Sequence, residues 1–281
     1  MPAANKNNQQ DIEAIELPLL LEAMFQRYGY DFRDYAMTSL KRRVHLAMQQ
    51  EQGMPTLSAY QDRILHDAEA MARFLDVVSV DVTAMFREPA FYQAFRDKVA
   101  PALRELPLIR LWHAGCASGE EVYSMAIVLH EEGLLDKAIL YATDINQRLL
   151  DQGKERIFNI KQMKDYTANY QKAGGKSAFS NYYTAKHDGV ILRDFLGKNI
   201  VWAQHNLVSD SSFNEFHVVL CRNVMIYFNR KLQDRVHRLI YDSLALGGVL
   251  GLGHGESLQS TPFEQCYEVV DRAERLYRKV K

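Results

Sequence analysis

The chain has 281 residues, of which 47% are hydrophobic and 25% are charged, so it can form one large globular domain or two smaller ones. A formal net charge of −1 argues against a protein devoted to binding nucleic acid. No apolar stretch approaches the roughly 20 residues of a membrane span, and the start, MPAANKNNQQ, lacks the apolar core of a signal peptide. We therefore expect a cytoplasmic protein that neither binds nucleic acid nor inserts directly into a membrane.

The first part of the chain has the apolar spacing of helices. Apolar residues recur three and four apart in IELPLLLEAMFQRYG, MTSLKRRVHLAMQQEQG and LSAYQDRILHDAEAMARFLDVV. This spacing predicts a small all-helical N-terminal domain over 11–75, after a disordered lead-in over 1–10. Residues 76–107 then form a linker and a connecting helix, FYQAFRDKVAPALREL, which ends before Pro107.

From residue 108 onward the pattern changes to strands alternating with helices. Short apolar runs occur in LIRLWHAG, AILYATD, NIVWAQHN, FHVVLCRN and GVLGLGHG, and helical segments lie between several of them. Such alternation predicts an α/β domain over 108–281, with a mostly parallel sheet covered on both faces. The last predicted helix, NRKLQDRVHRLIYDSLALGG, ends at Gly247 and Gly248.

The stretch from about 156 to 200 interrupts this alternation. It is polar and rich in tyrosine, with turn signals at Gly174-Gly175 and Asp188-Gly189. We interpret it as an inserted small antiparallel β subdomain, with a hairpin around YYTAKHDGVIL.

The turn in LWHAGCASGEEVYSMA follows the first predicted strand, where ligands of open α/β sheets bind. Asp144 ends the next strand about 25 residues further on, close to the spacing at which a carboxylate binds the ribose of a nucleoside. These two features alone fit NAD and S-adenosylmethionine equally well.

The two glutamates after the turn help to decide between these ligands. Phosphate near Glu120 would be repelled, whereas a cationic ligand would be attracted. S-adenosylmethionine carries a sulfonium charge and a ribose but no phosphate, so we expect Glu120 to contact it. We expect Glu121 instead to stabilise the helix N-terminus through the helix dipole.

Five segments in order resemble the CheR family of S-adenosylmethionine-dependent methyltransferases, which esterify glutamate side chains on chemoreceptors. They are LWHAGCASGEEVYSMAI, ATDIN, HNLV, VVLCRNVMIYFNRKLQDRV and LALGGVLGLGHGES. The passage SVDVTAMFREP resembles the family's N-x-T-x-F-F-R segment, and the helical start with SLKRRVH is similar to its smaller N-terminal domain. The resemblance implies a Rossmann-like methyltransferase domain with S-adenosylmethionine as cofactor and S-adenosylhomocysteine as product.

The resemblance also implies the residues of the site. The implied cofactor contacts are Asp81, Thr83, Arg87, Ala114, Glu120, Asp144, Asn206, Leu207, Arg222 and Asn223. Arg87 and Tyr227 are the implied catalytic residues. The chain departs from the family at Asp81, where Asn is usual, at Met85, where Phe is usual, and at Gly255, where Ser is common.

The implied reaction is an in-line displacement in which a glutamate oxygen takes the methyl group. Glutamate is already ionised at neutral pH, so the reaction needs no general base, and we expect no acid–base role for His113 or His254. Holding the reactants in line and excluding water would promote the step. The histidines and cysteines lack metal-ligand spacing, and we expect no metal site.

The helix predicted over MTSLKRRVHLAMQQ has an apolar face and an opposite basic face. Lys41, Arg42 and His45 lie on the basic face, and Arg43 lies at its border. The resemblance implies that this face docks on the acidic helical bundle of a chemoreceptor. A solvated helix face is the alternative interpretation.

Some family members also bind a receptor's C-terminal pentapeptide through a glycine-rich loop in the inserted subdomain. The hairpin turn TAKHDG lacks such a loop, and we expect an enzyme that is independent of this tether. Two other function classes stay open. A nicotinamide-dependent oxidoreductase is disfavoured by Glu120 and the absence of GxGxxG, whereas a non-catalytic cofactor-binding module would accommodate the departures at Asp81 and Met85.

Overall fold

The computed structural model describes residues 2–79, 83–186 and 189–281, and the side chains within them except those of 2–10 and 186. Asp81, a predicted cofactor contact, lies outside the described residues. The chain divides into two compact units, Met1–Val80 with Tyr227–Gln233 and Asp81–Ile226 with Asp234–Lys281. Among the described residues, no helix is long and apolar enough to cross a membrane.

The first unit contains the helices α1 (Pro2–Tyr28), α2 (Met37–Gln50), α3 (Leu57–His66) and α4 (Ala68–Val78). Its core is made of apolar side chains that these helices and the loop after α1 bury together, among them Leu20, Met24, Phe32, Val44, Ile64 and Phe74. The helix α1 begins at Pro2, where the sequence predicts a disordered lead-in. Proline is tolerated in the first helical turn, and no later proline or glycine interrupts the polar run before residue 11.

One predicted helix of the first unit is two helices in the structure. The apolar pattern of LSAYQDRILHDAEAMARFLDVV is continuous, but the backbone turns at Asp67, which has an extended conformation with φ −128°. The Asp67 carboxylate accepts a hydrogen bond from the Glu69 amide at 2.9 Å and thereby caps α4. Aspartate is among the preferred N-cap residues, so this boundary was marked in the sequence by capping chemistry rather than by periodicity.

The second unit contains the strands β1 (Ile109–Ala114), β2 (Ala138–Asp144), β3 (Ile157–Asn159), β4 (Tyr183–Lys186), β5 (Gly189–Leu192), β6 (Ile200–Gln204), β7 (Phe216–Cys221), β8 (Leu244–Leu252), β9 (Tyr267–Asp271) and β10 (Leu276–Lys279). Its helices are α5 (Pro89–Lys98), α6 (Ala100–Leu103), α7 (Glu120–Glu131), α8 (Gln147–Glu155), α9 (Met163–Lys172), α10 (Asp194–Gly197) and most of α11 (Arg230–Ser243). The predicted α/β architecture with a mostly parallel sheet is confirmed.

The main sheet has the strand order β6-β2-β1-β7-β8-β10-β9. The five strands from β6 to β8 are parallel, and β10 pairs antiparallel with both β8 and β9. Successive residues Leu111 and Trp112 of β1 are both fully buried, as expected when helices cover both faces of a parallel sheet. The chain builds outward from β1 on one side and then returns to build outward from β7, so the switch point lies between β1 and β7.

The last helix is shorter than the sequence predicts. α11 ends at Ser243, and β8 begins at Leu244, well before Gly247 and Gly248. The apolar helical pattern continues past Ser243, but Leu244 pairs with Phe216 of β7. This pairing between distant residues places the segment in a strand instead of the helix. The predicted end of this helix at the glycine pair is therefore wrong.

The inserted subdomain forms a small antiparallel sheet of order β3-β5-β4, as predicted. The tip of the hairpin, residues 187–188, lies outside the described residues. Glu131, the last residue of α7, joins the subdomain to the main sheet layer: it accepts hydrogen bonds from the hydroxyls of Tyr170 and Tyr182 and pairs with Arg96. The Glu131 side chain is only 4% exposed.

Candidate active site

The turn between β1 and α7 is shaped by left-handed backbone conformations. Gly115, Ala117 and Gly119 have φ values of 77°, 48° and 92°. A Cβ on Gly115 would lie 2.6 Å from a Val224 methyl group, and one on Gly119 would lie 2.6 Å from the Trp202 ring. These glycines are therefore required both by the backbone conformation and by close packing.

Asp144, at the end of β2, supports the same turn. Its Oδ2 accepts from the Ala117 amide and its Oδ1 from the Asn146 amide, each at 2.9 Å. Burial raises the pKa of Asp144, although these backbone hydrogen bonds oppose the effect. A carboxylate has about four acceptor positions, so Asp144 keeps capacity for the hydroxyls of a ligand.

The adjacent glutamates of α7 have different surroundings. Glu120 accepts a hydrogen bond from the Ser118 hydroxyl at 2.7 Å. Glu121 accepts from His113 Nδ1 at 2.9 Å and from Arg222 Nη1 at 3.0 Å. Burial alone would raise the pKa of Glu121, but the His113 hydrogen bond and the Arg222 charge lower it. Glu121 is thus an ion-pair partner as well as a residue of the first helical turn, where the sequence predicts only the latter role.

Arg222, the residue after β7, is almost fully buried and has several partners. It pairs with Glu88 at 2.9 Å and with Glu121 at 3.0 Å, and its guanidinium lies 3.9 Å from the centre of the Phe91 ring. It also donates to the Arg87 carbonyl oxygen at 3.0 Å. Burial would lower the pKa of Arg222, but the neighbouring carboxylates raise it. Arg222 therefore fixes the turn at residues 87–88, and its direct contact with the cofactor stays a prediction.

The segment that contains Thr83 and Arg87 is attached to the first turn of α7. The Phe86 amide donates to the Ser124 hydroxyl at 2.8 Å, and that hydroxyl donates to the Glu120 carbonyl at 2.6 Å. Phe86 and Glu88 both have left-handed φ values, 53° and 57°, and such strained backbone is often found at functional sites. Thr83 and Arg87 are half-buried, and their contacts with the cofactor stay predictions.

Met85 departs from the family pattern but is accommodated in the fold. Its side chain is fully buried in the same apolar cluster as Phe86, and its carbonyl accepts from Asn169 of α9 at 3.2 Å. Methionine fills irregular apolar space readily, so its presence in place of phenylalanine is compatible with the packing of this segment.

Asn206 and Leu207 follow β6 at the same edge of the sheet. The His205 amide donates to the Asp144 carbonyl at 3.1 Å, and Asn206 Oδ1 accepts from the Val208 amide at 3.0 Å. Leu207 is 7% exposed. Because β6, β2, β1 and β7 are parallel, their carboxyl ends meet at one edge, which brings together Ala114, Glu120, Asp144, Asn206, Leu207, Arg222 and Asn223.

Sequence reasoning missed Glu256, in the loop after β8. The carboxylate is 5% exposed and accepts hydrogen bonds from four backbone amides of the loops after β7 and β8. GHGES contributes to the family resemblance, but its glutamate was not among the predicted site residues. A glutamate placed after a buried strand and directly after the two glycines of GHG, Gly253 and Gly255, was the available signal.

Tyr227 and the predicted docking residues belong to the first unit. The Arg43 guanidinium lies 4.8 Å from the centre of the Tyr227 ring and donates to the carbonyls of Val77 and Val78 at the end of α4. Arg43 therefore caps the end of α4, and its place at the border of a docking face stays a prediction. The catalytic role of Tyr227 stays a prediction.

The basic face of α2 is partly neutralised by α1. Lys41 Nζ lies 3.2 Å and His45 Nε2 lies 2.9 Å from Glu13 Oε1. Arg42 is exposed and forms no ion pair within the part of the chain that the structure describes. Of the four predicted docking residues, Arg42 is thus the one that presents its charge most fully to solvent.

The chemistry of the strand-end edge disfavours phosphate. A phosphate-binding turn offers free backbone amides at a helix N-terminus, whereas here the Ala117 amide donates to Asp144 and Glu120 places negative charge at the start of α7. A carboxylate with spare acceptor capacity and a second acid suit a cationic nucleoside without phosphate, such as S-adenosylmethionine. Among the described residues, no group of His, Cys, Asp and Glu side chains could hold a metal ion.

Comparison with known proteins agrees with this chemistry. Residues 81–272 match the CheR methyltransferase SAM binding domain, and residues 15–79 match the CheR methyltransferase all-alpha domain. A Pseudomonas putida protein with the provisional name methyltransferase Cher3 is 44% identical over 94% of this chain and 97% of its own length. A chemotaxis protein methyltransferase of Listeria innocua is 27% identical over 82% of this chain and 85% of its own length. The chain therefore belongs to the CheR family of chemotaxis methyltransferases, with S-adenosylmethionine as its cofactor.

Proposed function

We propose that this enzyme methylates glutamate side chains on the cytoplasmic helical bundle of chemoreceptors, giving a glutamate methyl ester and S-adenosylhomocysteine. Membership of the family and the names of the relatives support a methyltransferase that acts in chemotaxis. The choice of a carboxylate acceptor rests on one observation, the state of His113. Its side chain is fully buried, and this burial keeps the ring away from a bound substrate, whereas the Nδ1 hydrogen bond to Glu121 by itself leaves Nε2 without a partner among the described residues.

An acceptor that is ionised at neutral pH suits such a site. An alcohol or an ammonium group must lose a proton during methyl transfer, whereas a glutamate side chain has lost its proton already. Water stabilises the opposite charges that disappear in the reaction, so burial and alignment of the reactants favour the step. The residues of the chain would therefore act by binding and orientation.

S-adenosylmethionine, when bound, supplies a methyl group on a positively charged sulfur. Asp144 would accept hydrogen bonds from the ribose hydroxyls, and Glu120 would attract the positive charge of the ligand. Arg222 and Glu88 would keep the Arg87 turn in place through the hydrogen bonds described above. Arg87 and Tyr227 remain the proposed catalytic residues.

The receptor would be recognised through the charge of α2. We assign this role mainly to Arg42, because Glu13 already pairs with Lys41 and His45. An acidic helical bundle would be attracted by this exposed arginine. The enzyme would act without binding a receptor's C-terminal pentapeptide. The reaction would take place in the cytoplasm, where the receptor bundle lies.

The test uses S-adenosylmethionine labelled in its methyl group and receptor cytoplasmic fragments with and without the C-terminal pentapeptide. We expect transfer of label to both fragments at similar rates, and release of the label as methanol in alkali, because esters are cleaved under these conditions. A receptor fragment with its acceptor glutamates changed to alanine serves as control. Label that resists alkali, or the same labelling of the alanine fragment, would contradict a glutamate ester.

A further inference from the structure

The loops after β7 and β8 are joined by the carboxylate of Glu256. Its Oε1 accepts from the amides of Val224 and Met225 at 2.8 and 2.7 Å. Its Oε2 accepts from the amides of Asn223 and Gly253 at 2.9 and 2.7 Å. All four partners are N–H donors, so both oxygens must accept, as a carboxylate does and a carboxamide does not.

Three consecutive amides after Arg222 thus converge on one anion. Such a concave group of amides requires residues with alternating backbone conformations, and Asn223 has a left-handed φ of 62°. Without an acceptor, the amides of Asn223, Val224 and Met225 would lose their hydrogen bonds inside the protein, which is unfavourable. Glu256 therefore stabilises the local backbone conformation of Asn223.

Gly253 permits the close approach of the two loops. A Cβ at this position would lie 2.7 Å from Asn223 Nδ2, 2.8 Å from the Asn223 amide nitrogen and 2.9 Å from Glu256 Oε2. The glycine and the glutamate of GHGES consequently form one unit around Asn223.

The loop held by Glu256 is part of the strand-end edge described above. Asn223 Nδ2 donates to Glu88 Oε1 at 3.3 Å, and Glu88 pairs with Arg222. Burial of a carboxylate is costly, and well-packed apolar residues often replace buried charges without loss of stability. A role in the geometry of the site explains why a buried carboxylate occupies this position.

We infer that Glu256 is a positioning residue of the cofactor site, which holds Asn223 in the conformation that contacts S-adenosylmethionine. This inference rests on the proposed function, because Asn223 is a proposed cofactor contact. Glu256 acts through Asn223, so its effect on ligand binding depends on the Asn223 side chain.

The experiment measures S-adenosylhomocysteine binding to the full chain by calorimetry, for the wild type, Glu256→Gln, Asn223→Ala and the double variant. We expect Glu256→Gln to weaken binding about tenfold, because its amide would face two backbone donors. The double variant should bind no more weakly than the weaker single variant, since the two residues act as one unit. A merely structural role of Glu256 would not produce this coupling.

Glu131→Gln is the matched control, because it also removes the charge of a buried carboxylate but has partners in the inserted subdomain. We expect it to lower the melting temperature without weakening S-adenosylhomocysteine binding. If Glu256→Gln does not fold, Glu256→Asp keeps the charge but withdraws it by one methylene group, and it should also weaken binding.

Wild-type affinity in the Glu256 variant that folds, or additive losses in the double variant, would overturn the inference and leave the proposed function intact. A wild-type chain that does not bind S-adenosylhomocysteine would overturn the proposed function and the inference with it. These two failures are distinguished by the wild-type measurement alone.

Discussion

The Arg222 guanidinium and the Glu121 carboxylate form an ion pair inside the second unit, with Nη1 3.0 Å from Oε2. Arg222 also pairs with Glu88, at 2.9 Å, and lies over the Phe91 ring. One side chain thus connects the end of β7 with the first turn of α7 and the start of α5. These elements carry several of the predicted cofactor contacts.

Replacement of Arg222 by methionine should destabilise the protein strongly. The variant keeps an unbranched side chain but leaves Glu88 and Glu121 without their shared counter-charge. We expect the free energy of unfolding, measured by urea denaturation, to fall by about 3–5 kcal/mol, as when one partner of a buried ion pair is removed. Lys154→Ala, which removes an exposed pair with Asp151, should change the stability very little. An equally small loss for Arg222→Met would contradict this role.

The stability of the protein at acid pH should depend on Glu121. The folded state lowers the pKa of Glu121 from its ordinary value of 4.5, because His113 and Arg222 outweigh burial. The unfolded chain therefore takes up the proton first as the pH falls, so this stabilisation is present above pH 4.5 and is lost below it.

Glu121→Gln should remove this acid dependence in part. The slope of the unfolding free energy against pH should decrease below the ordinary pKa by at most about 1.4 kcal/mol per pH unit, the value for one proton. Urea titrations at a series of acid pH values measure the slope. If Glu121→Gln had the same slope as the wild type, the pKa of Glu121 would not differ between the folded and unfolded states.

Hydrophobic periodicity predicted the strands of the second unit well. It failed where pairing with a distant strand determines the secondary structure. LIRLWHAG and AILYATD are apolar on both faces, which is typical of buried parallel strands, and they form β1 and β2. The segment at Leu244 continues the apolar pattern of α11, yet it pairs with Phe216 of a neighbouring strand. No local pattern contains that partner, so the end of the helix was predicted too late.

The candidate site was predictable where a residue follows a strand directly. Asp144 ends β2, and Glu120 begins α7 after the turn that follows β1. The acidity of Glu120 favoured a ligand without phosphate. Glu256 was not predictable in this way, because its partners are backbone amides, three of which lie more than 30 residues earlier in the chain. The helix-capping contact of Arg43 was not predictable for a similar reason, since its partners are the carbonyls at the end of another helix.

Gly119→Ala should harm the turn after β1 more than an ordinary glycine substitution would. Gly119 has a φ of 92°, and the new Cβ would lie 2.6 Å from the Trp202 ring. Gly133 also has a positive φ, 69°, but a Cβ there meets nothing within 4 Å. We expect Gly133→Ala to cost about 1–2 kcal/mol from backbone strain and Gly119→Ala to cost about 1–3 kcal/mol more from overpacking.

The two alanine variants are compared by their free energies of unfolding in urea and by their affinities for S-adenosylhomocysteine. Only Gly119→Ala should weaken ligand binding, because only this glycine belongs to the turn that Asp144 supports. Equal effects of the two substitutions on both quantities would show that packing against Trp202 is not important.

Asp144→Ala should weaken S-adenosylhomocysteine binding through loss of contacts with the ribose. We expect a loss of about 10- to 100-fold, the magnitude of one or two hydrogen bonds to a charged group. A ligand analogue without the ribose hydroxyls tests the mechanism: it should bind the wild type weakly and lose little further affinity in Asp144→Ala. A large additional loss with that analogue would mean that Asp144 acts by supporting the Ala117 turn alone.

Arg42 and Arg43 are neighbours in sequence but should respond differently to substitution. Arg43→Ala removes the hydrogen bonds to the Val77 and Val78 carbonyls, so it should destabilise the chain by about 1–2 kcal/mol in urea denaturation. Arg42→Glu should leave stability nearly unchanged, because surface charge substitutions usually have small effects. It should slow receptor methylation several-fold at low salt, with the difference fading at high salt as screening weakens attraction to an acidic bundle. Wild-type rates for Arg42→Glu at low salt would rule out docking through this face of α2.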